Sequence, residues 1–143
     1  MRSLTIRTLV ALIASLGLAA CGSAPAAITT GTATGTLPTQ SQEADGVTVS
    51  VTQARLTPDA ATFDVDLTAH AGELSSDLTT SLLTVDGTSW GTATYVGDGP
   101  GGHHRSGTIT FVGRRPTAGK VVLSIPAAAG SVTFRWTSGP AAS

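Results

Sequence analysis

From Asp45 onward, apolar side chains recur at every second residue, and this constrains the fold more than any other feature of the chain. Val47, Val49 and Val51 alternate with Thr48, Ser50 and Thr52; Phe63, Val65, Leu67 and Ala69 alternate with Thr62, Asp64, Asp66 and Thr68. Successive side chains of a strand point to opposite faces, so a period of two marks a strand buried on one side only. Further runs of strand character follow at about 80–85, 88–96, 106–112, 119–125 and 131–137. Pro58, Pro100, Pro116 and Pro126 fall between these runs, where a missing N–H breaks no ladder. Asp86-Gly87 is the strongest hairpin signal, because both residues accept the positive φ that a two-residue turn requires. After the first twenty residues no stretch of ten reads as a helix; at most a turn is expected around Glu73–Leu78.

Seven short strands over about 95 residues predict an all-β fold, an antiparallel immunoglobulin-like sandwich over residues 45–139 with a short tail at 140–143. The chain holds a single Cys, so no disulfide can pin the sheets. The core must then rest on Val, Leu and Ile with Phe63, Phe111 and Phe134, and Trp90 and Trp136 are expected as packing groups.

The first 44 residues have a different character. Arg2 and Arg7 precede the apolar run Leu9–Leu18, which is too short for a membrane span of roughly 20 residues but suits the core of an export signal. Residues 1–20 are therefore expected to be a signal peptide. Behind it stands Leu18-Ala19-Ala20-Cys21, with the chain's one thiol directly after small residues that suit a peptidase. This tetrapeptide resembles the lipobox of bacterial lipoproteins. The resemblance implies that Cys21 becomes an acylated N-terminus, with the protein held at the cell membrane or outer envelope and the domain on the extracytoplasmic side. Two acyl chains suffice for stable anchoring, at about 0.8 kcal/mol per buried methylene. Residues 21–44 then read as the lipidated Cys and a flexible linker rich in Thr, Ala, Gly and Pro, with a reach on the order of 25 Å.

Eight basic residues stand against nine acidic ones, and removal of residues 1–20 leaves six against nine. A nucleic-acid partner would need a clustered basic face, and none is present. No P-loop, G-x-S-x-G or H-E-x-x-H motif occurs. Residues 97–102 match G-x-G-x-x-G, but Pro100 interrupts the run and a strand follows where a dinucleotide site needs a helix. No catalytic constellation is nominated, and the domain is expected not to be an enzyme.

The histidines are the candidate site. In a sheet of immunoglobulin type, the second and fifth strands pair antiparallel, which brings His70 beside His103 and His104. Parity places His70 and His104 on the outer face and sets His103 apart from them. Two imidazoles with a carboxylate from Asp66, Glu73 or Asp98 would suit a Zn or Cu ion. Equally, these histidines and Arg105 could fasten an irregular loop by hydrogen bonding to backbone carbonyls. Leu67–His70, Asp77-Leu78, Trp90, Gly101-Gly102-His103-His104-Arg105, Gly107 and Phe134–Trp136 together resemble a small secreted bacterial β-sandwich domain with a GGHHR motif. That resemblance implies a shared fold and a shared histidine site, but no activity. The expected partners are the membrane, through the lipid anchor, and either a metal ion or an envelope protein. The alternative to a metal-binding module is a structural or protein-interaction domain without metal.

Overall fold

A computed structural model of the chain describes residues 35–113 and 116–139. The expected signal peptide at 1–20, Cys21 and the expected tail at 140–143 lie outside the described residues. Among the described residues, ten strands form two antiparallel sheets: β1 (Thr36–Leu37), β2 (Gln40–Ala44), β3 (Val47–Leu56), β4 (Ala60–Ala69), β5 (Leu82–Val85), β6 (Thr88–Ser89), β7 (Ala93–Gly97), β8 (His104–Val112), β9 (Gly119–Ala127) and β10 (Gly130–Ser138). One sheet runs β1-β3-β4-β8-β7, with β2 also pairing β3, and the other runs β10-β9-β5-β6. The seven main strands β3, β4, β5, β7, β8, β9 and β10 divide between the sheets as an immunoglobulin-like sandwich requires.

Burial follows the alternation. Along β4, Ala61, Phe63, Val65, Leu67 and Ala69 are buried, and they meet Leu83, Val85, Val121, Leu123, Ile125, Val132 and Phe134 of the other sheet in one core. In β3 the register shifts between Val51 and Gln53. This bulge moves the buried set from the odd positions Val47, Val49 and Val51 to Ala54 and Leu56. An aromatic stack crosses the core. Phe63 meets Phe111 edge-on at 6.2 Å and Trp136 at 6.0 Å, and Trp136 stacks on Phe134 at 5.8 Å. Trp90 and Trp136 are both buried, as packing groups.

Two strand expectations change. The run at 88–96 is not one strand: β6 belongs to one sheet and β7 to the other, and the chain crosses between them at Trp90–Thr92. Buried Trp90 ties this crossing down by donating its backbone N–H to the Leu83 carbonyl. The run expected from residue 80 begins as a strand only at Leu82, behind a 3-10 turn at Leu78–Thr80 that Asp77 caps.

The largest correction concerns the linker. Its end, Thr36–Ala44, is not a tether but two edge strands on β3, with Thr36 opposite Arg55 and Gln40–Ala44 opposite Val51–Val47. Asp45 (φ 52) and Gly46 (φ 74) make the two-residue turn into β3, in the same way as Asp86 (φ 51) and Gly87 (φ 80) join β5 to β6. Leu37 is only 6% exposed, and the Trp136 indole Nε1 donates to the Pro38 carbonyl at 2.7 Å. The Gln40 amide donates to the Arg135 carbonyl at 2.8 Å. The segment thus joins the two sheets along one flank. Trp136→Phe keeps most of the apolar contact and removes that one donor. It is expected to cost about 1 kcal/mol and to speed hydrogen exchange selectively in residues 36–44.

Candidate functional site: the laced loop pole

The long axis of the sandwich has two distinct ends. At one end lie the β2–β3 turn, the β9–β10 turn, the loop 70–76 after β4 and the loop 98–103 before β8. The other end holds the β3–β4 turn, the β5–β6 turn and Gly113 after β8, whose N–H donates to the Asp59 carbonyl. Pairing of β4 with β8 sets Thr68 opposite His104, so the expected meeting of the second and fifth long strands is realised.

The two loops are joined by backbone hydrogen bonds. Leu74 N–H donates to the Gly102 carbonyl and Gly101 N–H to the Leu74 carbonyl, both at 2.9 Å, while Ala69 N–H donates to the His103 carbonyl at 2.8 Å. Gly101 (φ 117) and Gly102 (φ 68) supply the turn that presents these groups. Leu74 is buried beneath.

Arg105 is the centre of this arrangement. Strand alternation turns it inward, and it is 5% exposed. Its Nε donates to the Asp98 carbonyl at 2.9 Å and its Nη1 to the Ser76 carbonyl at 2.7 Å. The guanidinium lies 4.8 Å from the centre of the Tyr95 ring, a geometry that stabilises a desolvated cation. The Tyr95 hydroxyl in turn donates to the Ser106 carbonyl at 2.8 Å. The ring covers Gly107, where a Cβ would sit 2.6 Å from both the Tyr95 Oη and the Val96 carbonyl oxygen. A hydrogen at position 107 is therefore a packing requirement.

Asp98 completes the clasp from the other side: its Oδ2 accepts from Ser106 N–H at 2.8 Å and from the Ser106 hydroxyl at 3.0 Å. These two hydrogen bonds, backbone first, hold its carboxyl below the ordinary aspartate range against a small opposing desolvation, and His104 and Arg105 add in the same direction. Hydrogen bonds from the Thr79 hydroxyl and N–H lower Asp77 in the same way. A carboxyl with a depressed folded-state pKa contributes stability above its unfolded value and loses it as pH falls through the folded one. Asp98→Asn is therefore expected to flatten the acid limb of a stability–pH profile below about pH 4, as read by denaturant midpoints in acid.

The histidines flank this clasp. The structure puts His70 and His104 at one end of the outer face, as parity requires: His70 Nε2 lies 3.4 Å from the Thr48 hydroxyl and His104 Nδ1 3.1 Å from the Thr68 hydroxyl. Thr48 and Thr68 are themselves register partners. His103 is exposed and engages the fold through its carbonyl. The expected carboxylates do not join the imidazoles. Asp98 is committed to Ser106, Glu73 is exposed on the loop 70–76, and Asp66 sits opposite Ser106. Among the described residues, no group of three or more His, Cys, Asp or Glu side chains is arranged to hold a metal ion. The loop-fastening expectation is met most fully by Arg105, whose guanidinium binds two loop carbonyls.

The outer face of the larger sheet also carries an open depression of about 290 Å³ lined by Thr52, Asp64, Asp66, Ser106 and Thr108. The Thr108 hydroxyl donates to Asp64 Oδ1 at 2.7 Å across it. Sequence reasoning missed Tyr95 and Ser76 as partners of Arg105. Parity alone would have flagged an arginine at a core-facing position. Its partners are backbone carbonyls and an aromatic face, which no side-chain pattern advertises. Among the described residues, no helix is long and apolar enough to cross a membrane. Compared with known proteins, the chain matches no family model, no curated protein and no solved structure at a significant level.

Proposed function

We propose that this chain is a lipid-anchored cell-envelope protein whose immunoglobulin-like domain is a non-enzymatic interaction module, using the loop pole as its contact surface. The observation that carries the reading is the Arg105 clasp. One buried guanidinium joins Asp98 of one loop to Ser76 of the other, so both loops are held in a single arrangement before any partner arrives. Preordered loops do not lose that conformational freedom again on binding, and binding surfaces are commonly loops on a rigid scaffold. The polar groups inside the clasp are consumed by it, whereas His70, Glu73 and His103 remain exposed around it. Anchoring rests on Leu18-Ala19-Ala20-Cys21, the only thiol of the chain.

Two measurements test the proposal. Cys21→Ser is expected to move the protein from the membrane fraction of the expressing bacterium to the soluble fraction, and unchanged membrane association would refute the anchor. A photo-crosslinking residue placed at Glu73 of the anchored chain is expected to give a discrete protein adduct. The same group at Thr88, at the opposite end of the sandwich, is expected to give none. Adducts of equal yield from both positions would refute the loop pole as the contact surface.

A further inference from the structure

We infer that the β2–β3 hairpin sets the orientation of the domain on the membrane: it carries the anchored end of the chain to the pole opposite the laced loops, so that these loops face away from the lipid surface. This rests on the lipid-anchor reading above and adds a direction to it.

The argument is one of topology. The first described residue, Gly35, accepts a hydrogen bond at its carbonyl from Leu56 N–H, at the last residue of β3. Next to it, Thr36 pairs with Arg55. The same end holds the β3–β4 turn, where Thr57 N–H donates to the Ala60 carbonyl, and the connection after β8, where Gly113 N–H donates to the Asp59 carbonyl. From there the chain runs antiparallel to β3, reaching Ala44 opposite Val47 at the other pole. Only then does it turn at Asp45-Gly46. His70 N–H donates to the Gly46 carbonyl at 2.9 Å, so this turn lies directly beside the histidine loops.

Residues 36–44 therefore decide the geometry. Were they part of the tether, the chain would enter the domain at Asp45, and the anchor would pull the loop pole toward the membrane. With them paired to β3, the entry point moves along the sandwich by the length of that strand, on the order of 30 Å for ten residues at about 3.3 Å each. Three contacts hold the segment in place against such a release: the register with β3, buried Leu37, and the Trp136 and Gln40 hydrogen bonds to and from the second sheet. Ser138, at the end of β10, pairs with Gly119 at the start of β9, so this last described strand also ends at the pole opposite the laced loops.

The test uses the full lipidated chain, purified from the membranes of the expressing bacterium and reconstituted in phosphatidylcholine–phosphatidylglycerol vesicles. Because Cys21 is the only cysteine and is acylated under this reading, an added cysteine is the only free thiol. A donor dye is placed at Pro58→Cys, in the β3–β4 turn, or at Glu73→Cys, in the loop pole, both exposed positions. Energy transfer to an acceptor on the lipid headgroups is expected to be stronger from position 58 than from position 73. Equal transfer, or the reverse order, from protein that sediments with the vesicles overturns the orientation while leaving the anchor intact. Protein whose Cys21 itself takes the dye, or that stays out of the vesicle fraction, overturns the anchor and the orientation together.

Discussion

Phe63→Ala is expected to lower the unfolding free energy of the domain by about 4 kcal/mol, within the usual range for truncating a buried phenylalanine. Phe63 is fully buried and stands at the crossing of the aromatic stack, in contact with Phe111 of its own sheet and Trp136 of the other. Truncation removes the transfer energy of the ring and both aromatic contacts. It also leaves a cavity that the surrounding strands cannot close, because their positions are fixed by register on both sides of β4. A typical domain has only about 5–15 kcal/mol of stability, and no disulfide supplements it here, so a large share of the total is at stake. Denaturant unfolding followed by tryptophan fluorescence measures the shift; a loss below about 1 kcal/mol would show that the core relaxes far more than a close-packed interior should.

Arg105→Ala is expected to cost about 3 kcal/mol, from two partly buried carbonyls that lose a charged donor and the lost packing of the side chain over Tyr95. The affected groups are the Asp98 and Ser76 carbonyls, each of which accepts from this one guanidinium. Arg105→Lys should recover only part of the loss. A single ammonium cannot reproduce the fixed fork that reaches two carbonyls in different loops, and it is more costly to desolvate. Hydrogen exchange separates this variant from a simple core defect. Gly101 and Leu74 amides, bonded across the two loops, are expected to lose protection in Arg105→Ala well before the amides of β9 and β10. Uniform loss across the domain would argue against a local clasp.

Much of the fold was legible because burial on one face is a local property. Phe63, Val65 and Leu67 announce their side of the sheet by alternation alone, and Asp86-Gly87 announces its turn by backbone chemistry. The antiparallel meeting of β4 and β8 followed from the topology, and with it the placement of His70 and His104 on one outer face. Less was legible where stability comes from the backbone. The strand Gln40–Ala44 is polar and mostly exposed, so it shows no apolar alternation and reads as linker. The Asp45-Gly46 pair was its one available signal, the same dipeptide that marks the β5–β6 hairpin. Likewise 88–96 reads as one continuous strand, since nothing in its composition records that Trp90 crosses from one sheet to the other.

The histidine site divides in the same manner. Parity grouped His70 with His104, and Asp66, Glu73 and Asp98 were the expected carboxylates, but the ligand set for a metal ion is not assembled among the described residues. Asp98 instead serves Ser106, and the charged group that organises the pole is Arg105.

By itself, the sequence determined which residues face the core, where most turns fall and that two sheets must pack without a disulfide, because these follow from the period of the side chains and the φ preferences of a few residues. Only the tertiary structure decided which pole the chain enters and what Arg105 does at the opposite one. Both depend on hydrogen bonds to main-chain carbonyls of distant segments, and every residue type offers the same carbonyl.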